Sequence, residues 1–237
     1  TAIGKDALGA NTTAANNTAV GYHALLSTTI GDFNTAVGYL SMDAVTTGYL
    51  NTALGTNTLS TASAADYNVA IGSNALAAAT TSDFNTAVGA DALEATTVGH
   101  SNTALGFRVL EALTTGDENI GVGYLAGDAI TTGNRNIIVG SGSDTSAVGG
   151  NDQLLFGRNL TGKGDDTFFV GGASGAYQYN NSSSWSTTSD RRIKKNITNN
   201  TTGLDKINQI TVRNFEYKTE DEIKTDNPEL TDVVKSA

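Results

Sequence analysis

The sequence predicts an all-β protein built mainly as a parallel β-solenoid, a β-roll of 17-residue rungs. Three observations carry that reading. First, glycines recur without a break at Gly4, Gly21, Gly38, Gly55, Gly72, Gly89, Gly106, Gly123, Gly140 and Gly157, each 17 residues after the last. A fixed period held over so many copies signals stacked repeats rather than one globular core. Second, a short motif leads into the glycine: "NTAVG" at residues 17–21, 34–38 and 85–89, "NTALG" at 51–55 and 102–106, and "NVAIG" at 68–72. Third, Thr and Val alternate with Ala and Gly inside the motif, the period of two that belongs to a strand. Seventeen residues are also too few for the common helical repeats, which need two helices each.

Residues 1–140 form the solenoid in this reading. Asn17, Asn34, Asn51, Asn68, Asn85, Asn102, Asn119 and Asn136 stand four residues before the glycine and predict one vertical amide ladder. Leu8, Leu25, Met42, Leu59, Leu76, Leu93 and Leu110 stand four after it and predict an apolar column. A hydroxyl follows eight after it in every copy from Thr12 to Thr131. Gly-Asp and Gly-Tyr pairs such as Gly31-Asp32 and Gly48-Tyr49 supply corners. At about 4.8 Å per rung, ten rungs make a rod on the order of 45–50 Å long. Each rung offers about two large apolar side chains, a small return for ordering a whole rung of backbone. The Ala/Gly face therefore predicts close association, and a homotrimer built around it is the expected assembly.

Residues 141–188 change texture. "NDQLLFG", "DTFFVGG" and "GAYQYNNSSSWS" read as short strands and polar turns, a β-rich connector. Residues 189–237 change again: 9 Lys/Arg and 9 Asp/Glu stand here, against 3 and 11 in residues 1–140. "GLDKINQITVRNFEYK" reads as a short helix and a strand, so a small α+β segment is expected.

Composition narrows the function. The net charge is −10, which disfavours nucleic acid and anionic membranes as partners. No apolar run approaches the ~20 residues of a membrane span, so no membrane insertion is expected. The chain contains no cysteine, which excludes disulfides and cysteine-based zinc sites. The first residue is Thr1 and falls mid-repeat, so a longer parent protein is expected. No carboxylate pair, triad or metal cluster stands out from the repeat, and no cofactor, metal site or activity on an external substrate is expected.

Several columns admit two readings. Asp32, Asp66, Asp83 and Asp117 share one column and could bridge calcium or simply cap turns. The Thr/Ser column could present hydroxyls to ice or serve only as β-forming surface. Tyr22, Tyr39, Phe107 and Tyr124, with Phe33, Tyr67 and Phe84, either close the roll or offer rings to a sugar. His23 and His100 occupy different columns and are assigned no metal role.

Two stretches resemble known families. The repeats of residues 1–140 are similar to the head repeats of trimeric bacterial adhesins, which build a left-handed parallel β-roll in each of three subunits, and to arrays in phage tail fibres. "SDRRIKKNI", at residues 189–197, with the later "GLDKINQITVRNFEYK", resembles the start of the C-terminal intramolecular chaperone of endosialidase-type tail spikes and fibres. The matching positions are Ser189, Asp190, Arg192, Ile193, Lys194, Asn196 and Ile197. That resemblance implies a module that helps three chains form one fibre and then cuts itself off beside the serine. It implies Ser189 as the cleavage-site serine and Lys194 as its dyad partner, a lysine that deprotonates a nearby hydroxyl. The later Gly-Phe-Ile-Ala-Gln-Glu signature of that family does not occur, so a truncated N-terminal portion of the chaperone is expected, with autoproteolysis belonging to the complete module. The implied function is a structural and host-attachment segment of a phage tail fibre, located in the virion, with a host cell-surface receptor (a glycan among the candidates) and other tail proteins as partners. The alternatives are a bacterial trimeric surface adhesin head on the cell surface and an ice-binding β-solenoid.

Overall fold

The computed structural model describes residues 1–172 together with the strands Ala176–Tyr179 and Ser186–Thr187. The chain divides into two units, Thr1–Asp190 and Arg191–Ala237, and the second lies outside the described residues. The helix and strand expected in residues 203–218 therefore also lie outside them.

Every described element is a strand, and all thirteen pair in chain order within one sheet. The first nine are β1 (Ala2–Ile3), β2 (Thr18–Val20), β3 (Thr35–Val37), β4 (Thr52–Leu54), β5 (Val69–Ile71), β6 (Thr86–Val88), β7 (Thr103–Leu105), β8 (Ile120–Val122) and β9 (Ile137–Val139). Each pairs parallel with the next, residue i against i+17, as Ala36 against Ala53 shows. The fold is a parallel β-solenoid of about ten turns, as the 17-residue register requires.

A rung has two unlike sides. The sheet side is the three-residue strand. The turn side follows the glycine and is threaded by left-handed residues, including Leu25 (φ 52), Leu59 (φ 49) and Leu93 (φ 53). Such conformations cost a non-glycine residue about 1–2 kcal/mol, and they are retained here because they aim the leucines inward. Alternate N–H groups of the turn side also reach the next rung, as from Leu25 to the Ser41 carbonyl at 3.0 Å.

The glycine between the two sides is obligatory. Gly38 has φ +142, and a Cβ on it would collide with the carbonyl oxygen of Gly55 one rung on. The same collision recurs along the column, which explains its unbroken register.

The core corrects one expectation. Ala19, Ala36, Ala53, Ala70, Ala87 and Ala104 are fully buried within the single chain, packed with Leu25, Met42, Leu59, Leu76, Leu93 and Leu110. The Ala face therefore lines the interior of the roll and cannot be the surface through which copies associate. The reason is the narrow cross-section: one large residue from the turn side fills the space, and only Ala fits opposite it. The chain observes that volume rule where it departs from the repeat. Val109 occupies a small-residue slot, and Gly121 makes room for it; a Cβ there would collide with Val109 Cγ1. Ile130 and Ile138 are accommodated by Gly127, which stands where the other rungs place leucine.

Parallel pairing continues beyond Gly140 into the expected connector. β10 (Leu154–Gly157) pairs with β9, and β11 (Thr167–Gly171) pairs with β10, the last step being 14 residues rather than 17, since Leu154 faces Phe168. Then the direction reverses. β12 (Ala176–Tyr179) and β13 (Ser186–Thr187) add antiparallel strands, which cover the edge that a parallel ladder would leave open.

Candidate functional site

The Asn ladder is structural. Each side-chain Oδ1 accepts from the backbone N–H of the Asn on the next rung, at 2.9 Å from Asn85 to Asn68. Each Nδ2 donates across the rung to the corner carbonyl fourteen residues on, as from Asn85 to Gly99 at 2.9 Å. The amides are buried and fully paired, so they hold the corner closed and offer nothing to a ligand.

The Asp column likewise turns inward on the backbone. Asp32 Oδ1 accepts from the Ala15 N–H at 2.6 Å, Asp66 from Tyr49 at 2.9 Å, and Asp83 from Asp66 at 2.8 Å. His100 occupies the same column, and its Nδ1 accepts from the Asp83 N–H at 3.0 Å. The shared requirement is an acceptor one rung on, a role that Asn134 and Asn151 also fill. Burial raises the Asp66 carboxyl above its ordinary range, the Tyr49 N–H opposes this, and neighbouring Asp83 adds to the rise. Among the described residues no three His, Asp or Glu side chains are grouped closely enough to hold a metal ion.

The hydroxyl column has its protons engaged. Thr12, Thr29, Thr46, Thr80, Thr97 and Thr114 each donate to the carbonyl of the residue 17 further on, at 2.9–3.2 Å. These bonds tie rung to rung and leave no free donor array to match ice.

The aromatics are outside, and they stack on one another. Tyr22 and Tyr39 lie 5.3 Å apart at 12°, Tyr67 and Phe84 5.1 Å apart at 13°, and Phe107 and Tyr124 5.7 Å apart at 16°. They do not close the roll. Such pairs stabilise adjacent rungs, while Tyr39, Phe84 and Tyr124 stay more than half exposed, as does Phe33.

What remains is the outer face of the sheet. Residues alternate in and out, so beside buried Asn34 and Ala36 stand exposed Phe33 and Thr35 and half-buried Val37. This places three outer columns in parallel: one before the Asn, one of Thr or Val, and one of Val, Leu or Ile. The motif's alternation signalled this face, but burial decided which side of it is outside.

Ser189 and Lys194 lie outside the described residues, and their separation is not fixed by the geometry above. The sequence carrying them does have a counterpart. Residues 189–230 match the family model described as the chaperone of endosialidase. The match begins at Ser189, within the last two residues of the unit that contains the solenoid. No curated protein and no solved structure matches this chain.

Proposed function

We propose that this chain is a structural segment of a phage tail fibre, a stiff rod that holds host-recognition surface away from the particle. The carrying observation is the order of two features: a β-solenoid and, immediately after it, a segment matching the chaperone of endosialidase at residues 189–230. The chaperone segment brings three copies together. The resulting homotrimer resides in the virion and contacts other tail proteins and a host cell-surface receptor. No helix of the described residues is long and apolar enough to cross a membrane.

Ser189 and Lys194 have a place in this reading as the residues of a self-cleavage step. The lysine takes the serine proton, and the hydroxyl oxygen attacks the carbonyl of an adjacent peptide bond to form an ester. The protonated lysine returns the proton to the departing amine, and water hydrolyses the ester to release the downstream segment. Denaturing electrophoresis of the gene product tests the step. Ser189→Ala and Lys194→Ala should each abolish the cut and leave assembly unchanged, whereas a cut that persists in Lys194→Ala overturns the dyad. The fibre reading is tested separately by immunogold labelling of phage particles with antibodies against residues 1–140. Label along the tail fibres is expected; particles without label would overturn the reading.

A further inference from the structure

The outer sheet face is the feature that nothing above uses. Over the six rungs from Asn16 to Phe107 its three columns, with the position just after each glycine, contain no charged residue, although the chain carries −10 overall. The column before the Asn is apolar for four rungs in succession: Phe33, Leu50, Tyr67 and Phe84, the last 58 % exposed. Beside it, Leu54 and Leu105 are 47 % and 50 % exposed. The nearest acids, Asp32, Asp66 and Asp83, are turned along the ladder onto backbone N–H groups rather than outward.

We infer that this face is where copies of the chain join, side by side, parallel and in register. The inference rests on the proposed assembly and identifies its surface. Three arguments select a copy of the chain as the occupant. The first is size. Strand columns ~6.8 Å apart, repeated every ~4.8 Å over the six uncharged rungs, make a face on the order of 400 Å², about half of the ~800 Å² per partner of a stable interface, and the same columns on the remaining rungs extend it. Exposed patches of a few hundred Å² are often functional surface. The second is period. A face that repeats every rung is met equally at every rung only by a partner with the same rise, and another copy has it by construction. The third is direction. After Ser101 the column before the Asn turns polar and charged, with Glu118, Arg135 and Asp152, the last two joined by an ion pair at 2.7 Å. Parallel copies set Phe33 through Phe84 against the same apolar rungs. Antiparallel copies would set them against those charges and strip water from them without a partner.

The test uses the full chain. Light scattering of the unaltered protein should give an oligomer, and the double variant Leu54→Lys, Leu105→Lys should fall to the monomer mass with an unchanged β circular-dichroism spectrum. Single cysteines provide a second, gentler probe, because the chain has none of its own. Leu54→Cys and Leu105→Cys, three rungs apart, should each form a covalent dimer with a short bismaleimide, and Thr61→Cys on the turn side should not. An oligomer that survives the lysines and yields no cross-link at either site overturns the face and leaves the assembly reading standing. A cross-link at only one of the two sites overturns the parallel register. An unaltered protein that stays monomeric overturns both the face and the assembly, and thermal hysteresis in that monomer would assign the face to ice instead. If the lysine variant does not fold, the cysteine pair decides.

Discussion

The two sides of each rung solve the same problem by different means. On the sheet side three residues pair in a regular parallel ladder, and the positions around them over residues 17–140 admit few residue types: Asn, then Thr, Val or Ile, then Ala except at Gly121 and Ile138, then Val, Leu or Ile, then Gly. The turn side has no regular strand. It holds several left-handed residues per rung and accepts Asp6, His23, Leu40, Asn57, Asp91 and Arg108 in a single column. Strictness follows from what each backbone touches. On the sheet side and its closing glycine, the neighbouring backbone lies within reach of any added atom. On the turn side the inward leucine, the small residue before it and the residue three after it (Thr28, Val45, Ala62, Ala79, Thr96, Leu113 and Ile130) are buried, and the positions between them reach water.

That contrast predicts a graded response to substitution, beginning with the sheet side. A glycine-to-alanine change in the closing column, such as Gly55→Ala, should be among the most damaging single-methyl changes. Gly55 has φ +143 and the new Cβ meets backbone of Gly72 on the next rung, which cannot move without its own ladder. A loss on the order of 4 kcal/mol is expected, read from thermal or denaturant unfolding. A loss below about 1 kcal/mol would show that the rungs can separate locally and would break the comparison.

Asn68→Ala comes next. It strands the Asn85 N–H, which lies 2.9 Å from the lost Oδ1, and the Ser82 carbonyl, 2.8 Å from the lost Nδ2. Two buried groups without partners cost about 3 kcal/mol together. Asn68→Asp should recover only a fraction of this, because a carboxylate keeps the acceptor and loses the donor; chemical denaturation of both variants separates the two contributions.

On the turn side, Asp144 sharpens the comparison through pH. It stands at the register position that leucine fills in earlier rungs, four after Gly140. Burial lifts its pKa from 3.8 to about 7, against the Ala129 N–H, with the neighbouring Asp128 adding to the rise. The folded chain therefore holds a proton that the unfolded chain releases, and stability should fall as pH rises from about 4 to about 7 and level off above. After allowance for solvent screening at this half-exposed site, the change attributable to Asp144 is on the order of 1 kcal/mol. Asp144→Asn should flatten that slope in melting curves recorded across this range. A slope unchanged in the variant would assign it to other carboxyls.

The smallest effect expected is a gain. Ser82 Oγ is buried without a partner, at a corner where most rungs carry glycine. Ser82→Ala keeps the Cβ that the corner already accommodates and removes the unpaired hydroxyl, worth roughly 1 kcal/mol of added stability, visible as a raised melting temperature.

The register and the Asn ladder were legible in the residues because both depend on contacts between identical positions. The orientation of the Ala face was not. A small side chain suits a tight interface between copies and the inside of a narrow roll equally well, and only the left-handed turn that aims Leu25 and Leu59 at the alanines decides between them. The continuation past Gly140 left a faint mark in the sequence. Gln153 takes the next Asn slot, and its N–H donates to Asn136 Oδ1 at 3.0 Å, so the ladder ends on a residue one methylene longer, whose Oε1 accepts from the Ser146 N–H instead. The step of 14 residues to β11 left none, because shortening the turn side does not disturb the strand pairing. The roles of the Asp column emerged only from geometry: His100 and Asn134 share the one property that matters, an acceptor atom pointing back along the stack.

The inter-rung hydrogen bonds all run along the rod, and this sets how the rod bears force. When one chain is pulled by its ends, the rungs are loaded in series and separate singly. The peak resistance is then that of a single rung, however many are stacked. A strand peeling from the end gives up a few hydrogen bonds and then exposes the next. A solenoid of this design is stiff in compression and bending and weak in tension, and adding rungs gives it reach without strength. Strength would have to come from chains set alongside one another, with the load carried sideways between them.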